Sequence, residues 1–408
     1  MSSVSASPFT ARVETALHKI GAFTWDACAT AVQTGEASTQ HPSEQQQLPA
    51  NPFSSFAFLS SLEDSGCVGR GTGWNPVYLV LEDQSAQIVG VTPTYLKTHS
   101  QGEYVFDHGW AEAYARAGGQ YYPKLQLSIP FTPAMGPRLL VRGGAGDTQR
   151  RTALASALES LRRQTSASSI HVTFTAEPDI TALANAGFLE RHDLQYHWFN
   201  DGYASYDDFL SALASRKRKA LKKERREALP PGITVQWLTG SELTEGIWDA
   251  FHAFYEDTGA RKWGRPYLNR RFFSLIGERM GASIMLAMAS RNGRYIAGAI
   301  NFLGHDTLYG RHWGCLEDHP FLHFELCYHQ AIDMAIARGL KCVEAGAQGQ
   351  HKMARGYVPV ITRSMHAIAD PGLRQPVARY LENERHQISL LQQEMMLQSP
   401  FKKAGEAG

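Results

Sequence analysis

The sequence predicts a mixed α/β protein made of two related halves. Three observations carry that expectation. The chain has 408 residues, more than one hydrophobic core usually organises, so two domains of roughly 150–200 residues each are the starting point. Hydrophobic residues make up 43% and charged residues 19%, the balance of a folded globular protein. One order of elements (strand, hairpin strand, helix, strand, helix, strand) is written twice along the chain.

Residues 1–50 are read as a short N-terminal element, Val13–Trp25, followed by a flexible polar insertion at 29–50. That insertion is rich in Gln, Ser, Thr, Ala and Glu and holds too little apolar surface to order itself. The first half is expected over 51–200. Its strand Pro76–Glu82 (PVYLVLE) is followed by a polar turn and a second strand, Gln87–Leu96. In the second half, expected over 201–384, Ser283–Ala289 precedes the turn Ser290–Gly293 and the strand Arg294–Leu303. β-branched runs flanking turn residues are the hairpin signal. The quartets Ile88-Val89-Gly90-Val91 and Ile296-Ala297-Gly298-Ala299 fall at the same place after each turn.

Each hairpin leads to a helix and a strand: Thr148–Arg163 with Ser169–Thr175, and Glu325–Arg338 with Leu340–Glu344. Residues 385–408 are read as the end of a C-terminal helix (about Gln375–Gln398) and a polar tail. The doubled order implies a mixed sheet with helices packed on it, and it matches two tandem acetyltransferase-like (GNAT) domains. The first half is longer by an aromatic insertion at 97–140, which is expected to pack against the rest of the fold or to close over a ligand.

The net charge of +1 excludes a global pull on nucleic acid or anionic membranes, and no DNA partner is expected. Five scattered cysteines without a CxxC pair suit reduced thiols better than disulfides or structural zinc. No signal peptide and no membrane-spanning run is read, so a cytoplasmic location is expected.

Four segments carry chemistry. The strand-end loop Glu344–Arg355 gathers Glu344, Gln348, His351, Lys352 and Arg355 around Gly346 and Gly349. Acyl transfer to an amine needs a proton acceptor, an oxyanion donor and a seat for the acyl carrier, and these residue types supply all three. As a surface turn, the loop would instead hold solvated charges. The helix start Asp318–Leu326 contains His319 and His323 four apart, but no third ligand at matching spacing, so no metal is expected. Arg216–Arg226 (RKRKALKKERR) has eight basic residues and one acid in eleven positions. Within a helix at 213–228, Arg216, Lys219, Lys222 and Lys223 either form a solvated face or bind a polyanion. Arg142–Asp147 (RGGAGD) is a near miss for a pyrophosphate loop before a helix: its glycines are out of step and it ends in an acid.

Longer runs resemble a known family. Asn51–Leu62, His99–Asp107, Tyr121–Leu125, Pro130–Leu139, Leu322–Gln330 and Glu344–Tyr357 look like the FemAB-like predicted N-acyltransferases, proteins with tandem GNAT-like domains often linked to peptidoglycan biosynthesis or recognition. The resemblance implies acyl or aminoacyl transfer to an amine acceptor such as a cell-wall precursor, with aminoacyl-tRNA or acyl-CoA as donor. Gly349–Tyr357 is similar to a Gly-x-x-x-Phe-Lys-x-Gly-aromatic loop of the FemABX relatives, whose lysine aligns with Ala354. Lys352 takes its place only if the loop shifts. On this reading Lys352, Glu344, His351 and His323 are catalytic. Arg355, Gln348, Gly349, Glu325 and Arg311 bind substrate, as do Tyr104, Asp107 and Lys124 of the first half. The alternatives are a CoA-dependent enzyme using Arg142–Asp147 and a non-catalytic protein that recognises an anionic precursor or RNA.

Overall fold

The computed structural model describes residues 8–30, 48–262, 266–346 and 349–402. Most of the polar insertion expected at 29–50, Gln348, and residues 403–408 of the tail lie outside them. The described residues form two compact units, one of 8–30, 53–193 and 362–388, the other of 48–52, 194–361 and 389–402. The units interleave, whereas the halves expected at 51–200 and 201–384 run in chain order.

The first unit opens with β1 (Thr10–Glu14) and α1 (Ala22–Ala29), then α2 (Phe56–Asp64), β2 (Trp74–Pro76), β3 (Tyr78–Glu82), β4 (Ile88–Thr92) and β5 (Thr94–Lys97). The β3–β4 turn is closed by the Asp83 carboxylate, which accepts from the backbone N–H of Ser85 at 2.8 Å and of Gln87 at 3.0 Å. The strand expected over Gln87–Leu96 is two strands in two sheets. Pro93 separates them, because it has no N–H to give to a ladder. α3 (His108–Arg116), β6 (Lys124–Leu127), β7 (Leu140–Val141), α4 (Asp147–Gln164), β8 (Ser169–Thr175), α5 (Asp179–Asn185) and β9 (Leu189–Phe199) follow. One sheet runs β1-β3-β4-β7, and β2, β5, β6 and β8 run side by side in the other.

Part of the aromatic insertion at 97–140 packs into this unit. It supplies β6, and Tyr121, Leu125, Leu127 and Phe131 are buried. α4 buries Leu154, Leu158 and Leu161, spaced one helical turn apart, beside Leu79, Leu81, Val89 and Ile170. A Cβ at Gly90 would lie 3.1 Å from the Leu154 side chain, which accounts for the glycine in the first quartet.

The second unit contains α6 (Tyr206–Ala212), α7 (Ser215–Ala228), β10 (Ile233–Leu238), α8 (Glu245–Lys262), α9 (Arg270–Met280), β11 (Ile284–Arg291), β12 (Arg294–Leu303) and β13 (Thr307–Cys315). β10 to β13 form an antiparallel meander. The turn between β11 and β12 is tightened to Asn292-Gly293, both at positive φ, as the twist of a two-residue hairpin demands. A Cβ at Gly298, the second quartet's glycine, would sit 2.7 Å from the Met288 sulfur and 3.0 Å from Phe251.

The helix expected over Glu325–Arg338 is composite: α10 (Leu322–Phe324), a π-helical turn (Glu325–His329) and α11 (Gln330–Ala337). It leads into β14 (Cys342–Glu344), parallel to β13. β15 (Val358–Ile368) and α12 (Pro371–Leu397) complete the chain. Residues Arg363–Ile368 of β15 pair with β8 in the first unit, and residues 197–199 of β9 pair with β14 in the second. These pairings put the late residues 362–388 with the first unit. The architecture is mixed α/β, as expected.

Candidate functional site

In the second unit the loop after β14 is a short helical turn, Gln350–Arg355, bounded by Gly349 and Gly356, both at positive φ. These two reversals fold the turn inward. A surface turn with solvated charges is therefore not what forms: Lys352 is 2% exposed and Arg355 5%. The Lys352 ammonium donates to the Gly346 carbonyl at 2.9 Å. Burial pulls it down to about 8, and the nearby Arg311 guanidinium acts in the same direction. His351 is exposed at the rim, and its Nε2 lies 2.9 Å from the Tyr328 hydroxyl. A Cβ on Gly349 would collide with the His351 ring. Glu344 is buried at the end of β14.

Arg355 does not face solvent as an anion clamp. Its Nε and Nη2 donate to the two Glu224 oxygens at 2.8 and 2.7 Å, and its Nη1 donates to the His351 carbonyl at 2.7 Å. The Phe324 ring covers it at 3.5 Å. Glu224 also accepts from His329 Nε2 at 2.8 Å, and His329 Nδ1 lies 2.5 Å from the Tyr206 hydroxyl. Burial raises the Glu224 carboxyl, but the hydrogen bonds from His329 and Arg355 outweigh it and hold the group below its usual range.

Arg225, next along α7, donates to Glu325 at 3.0 and 3.2 Å and to Asp333 at 2.6 Å. Glu325 is fully buried and also accepts from Gln330 at 2.8 Å. Burial raises the Asp333 carboxyl despite the Arg225 contact.

The remaining expected residues divide by place. Arg216, Lys219, Lys222 and Lys223 lie on the exposed side of α7. Lys222 pairs with Asp207 at 2.9 Å and Lys223 with Glu227 at 3.8 Å. His323 is half-buried with its ring centroid 5.2 Å from Trp313, whereas His319 pairs with Glu317 at 3.1 Å. Among the described residues no three His, Cys, Asp or Glu side chains gather as a metal site. No helix among them is long and apolar enough to cross a membrane.

Asp107 and Lys124 belong to a separate cluster in the first unit. Lys124 donates to Asp107 at 2.6 Å and to Ser100 at 2.7 Å, and both Lys97 and Lys124 lie 3.4 Å from Glu103. Tyr104 is half-buried beside them in sequence, at φ 61°. In the same unit Asp147 occupies the first turn of α4 and pairs with Arg150 and Arg151. A carboxylate thus already takes the helix end where a pyrophosphate would sit.

Sequence reasoning missed Tyr206, Glu224, Arg225, His329 and Asp333. A signal was available for two of them. Leu221, Glu224, Arg225 and Ala228 stand three and four apart and share the inward face of α7.

Three comparisons bear on this arrangement. Residues 16–403 match the model of the FemAB-like family, described as peptidoglycan biosynthesis/recognition. No curated protein matches the chain. Among solved structures, FemX is 12% identical with a TM-score of 0.52, covering 83% of this chain and 99% of its own. A conserved protein of unknown function from Bacteroides thetaiotaomicron is 10% identical with a TM-score of 0.51, covering 88% of this chain and 100% of its own. A tandem GNAT protein from the clavulanic acid biosynthesis pathway is 15% identical with a TM-score of 0.43, covering 89% and 99%.

Proposed function

The chain belongs to the FemAB-like family, and from that membership we propose that it is a cytoplasmic N-acyltransferase moving an acyl or aminoacyl group onto an amine of a cell-wall precursor. The observation that carries this reading is the buried ammonium of Lys352 on the glycine-bounded turn after β14. Attack of an amine on an acyl carbon builds negative charge on the carbonyl oxygen, and a donor that is desolvated beforehand stabilises that charge most. Lys352 supplies such a donor, with Gly346 O as its acceptor at rest. At about 8 it is still protonated at neutral pH, yet more acidic than an exposed lysine, which strengthens its hydrogen bond to an oxyanion.

Arg355 and Glu224 brace the turn from inside, so Arg355 positions Lys352 rather than the donor's anion. His351 and His323 stand at the partly exposed edge of the turn. Aminoacyl-tRNA is favoured over acyl-CoA as donor because Asp147 stands at the start of α4.

The test is a transfer assay with aminoacyl-tRNA or acyl-CoA as donor and amine-bearing, nucleotide-linked precursors as acceptor, with amide product read by mass spectrometry. Lys352→Met is expected to lower kcat by roughly 10²–10³ with little change in KM. In the wild type kcat should fall as pH rises through about 8, as the ammonium loses its proton. Absence of product with every pair overturns the reading. A Lys352→Met enzyme with undiminished kcat removes Lys352 from it.

A further inference from the structure

Tyr206, His329 and Glu224 make a hydroxyl–imidazole–carboxylate chain that the reading above leaves unused. Their side chains come from α6, the π-helical turn and α7, with His329 lying 123 and 105 residues from Tyr206 and Glu224. The contacts are 2.5 Å from the Tyr206 hydroxyl to His329 Nδ1 and 2.8 Å from His329 Nε2 to Glu224. With the ring neutral, the two contacts fix the order of protons. A neutral ring that donates from Nε2 to the carboxylate has its lone pair on Nδ1, which must then accept the Tyr206 proton.

Tyr206 also lines an open depression of the second unit, together with Ser205, Asp207, Leu210, Lys222 and Arg225. The Arg225 guanidinium lies over the Tyr206 ring at 4.3 Å. The π-helical turn is what places His329 here. Its wider winding interrupts the helix between Phe324 and Gln330, and such turns recur where a side chain must be re-aimed.

We propose that Tyr206, His329 and Glu224 are a proton relay opening on this depression, and that the depression seats the amine acceptor. The proposal rests on the N-acyltransferase reading. In the reaction the acceptor nitrogen forms its bond to the acyl carbon and gives one proton to the Tyr206 oxygen. The tyrosine's own proton passes to His329 Nδ1, giving an imidazolium paired with Glu224. That proton returns by the same path to the leaving oxygen or sulfur of the donor, whose bond to the acyl carbon breaks. Tyr206 is never required as a phenolate, which accords with burial holding its hydroxyl well above the usual range. Lys222 on the rim is 57% exposed and free to turn from Asp207 toward a carboxylate or phosphate borne by the acceptor. At its other end the relay joins the turn of Lys352 through Arg355, which holds Glu224 and the His351 carbonyl together.

Two arms test this on the full chain. The first needs no transfer activity. An arylsulfonyl fluoride forms a sulfonate ester at a tyrosine oxygen, expelling fluoride while a neighbouring base takes the proton. Peptide mapping is expected to show Tyr206 labelled about tenfold or more faster than the exposed Tyr267 and Tyr380, and His329→Gln should bring it down to their rate. Labelling of Tyr206 no faster than those two, or a rate indifferent to His329→Gln, overturns the relay. In the second arm Tyr206→Phe, which keeps the ring and its packing, lowers kcat by roughly 10²–10³ with KM held. Wild-type kcat in Tyr206→Phe overturns the proposed role. A wild-type chain that transfers to no acceptor overturns the N-acyltransferase reading and the acceptor assignment with it, while the labelling result by itself decides the relay.

Discussion

Two buried charge clusters differ in kind: one in the first unit is built on the strand lysines Lys97 and Lys124, and one in the second on Arg225 of α7 and Arg355 of the turn after β14. In the first, Lys97 and Lys124 face each other across β5 and β6 and share Glu103, with Asp107 closing the group. Two like charges opposite each other on a sheet repel, and burial adds to that: it brings Lys97 down to about 7, where Glu103 only partly offsets the loss of water. Next to them His171 is driven down to about 3 by burial and by Lys124, and its Nδ1 meets His366 Nδ1 at 2.8 Å. In the second unit, Arg225 and Arg355 each take a carboxylate in a two-pronged grip. A guanidinium stays charged at any ordinary pH and matches a carboxylate by shape, whereas an ammonium is a point charge that gives up its proton when desolvated. The first cluster should therefore respond to pH, and the second should hold its form.

The largest expected effect comes from breaking the second cluster. Glu325→Ala removes the fully buried partner of Arg225 and leaves a guanidinium with Asp333 alone. The loss should be about 3–5 kcal/mol, read as a fall in the urea midpoint at unchanged slope. A change under about 1 kcal/mol would mean that water reaches Arg225 freely, and the contrast between the units would disappear.

A smaller effect separates the units by pH. Lys97 binds its proton less tightly folded, at about 7, than its ordinary 10.5. Between those values the unfolded chain holds more protons, so stability rises with pH across the window. The penalty is fully present below pH 7 and is relieved as pH climbs. Lys352 adds the same trend from about 8. Lys97→Met, which removes the ammonium that lies 3.5 Å from the Trp74 ring centroid, should equal or exceed the wild type in Tm at pH 6, with the gap narrowing by pH 9. A gap independent of pH would show that Lys97 stays protonated throughout. On the acid side, His171 stays neutral in the fold until about 3, so stability should fall as pH drops from 6.5 toward that value, and His171→Gln should lessen the fall.

The smallest effect is expected on the outer face of α7. Lys222 and Lys223 pair at the surface at 57% and 66% exposure, and exchanging both for Gln should move stability by no more than about 0.5 kcal/mol. A larger shift in thermal melting would show that this face is packed and not solvated.

Strands and helices with strong periodicity are legible in the amino-acid sequence. Ser169–Thr175 and Arg294–Leu303 form over the ranges expected, and α4 and α7 extend beyond or fall short of theirs by a residue or two. Gly90 and Gly298 stand out as matched positions, and the structure supplies their shared reason: each clears space for a neighbouring side chain. The candidate site is legible only in part. Lys352, Arg355 and Glu325 are marked by residue type and spacing, but along the chain Glu224 is no more than the single acid of a basic run.

By itself, the sequence determined what depends on near neighbours: the doubled order of elements, the Asn292-Gly293 turn, the inward stripe of α4, and the glycines around Lys352. Tertiary structure decided everything that depends on distant partners. Whether Lys352 is a solvated charge or a buried donor turns on what the Gly349–Gly356 turn folds against. Whether Glu224 is idle or central depends on His329, 105 residues away, and Arg355, 131 residues away. Residues 362–388 join the first unit because Arg363–Ile368 find their ladder on β8, nearly 200 residues earlier, as the His366–His171 contact at a separation of 195 shows. Local periodicity specifies which face of an element is apolar. It carries no record of which buried charge will be satisfied by which partner, because that choice is made only when separate elements pack and water is withdrawn from both.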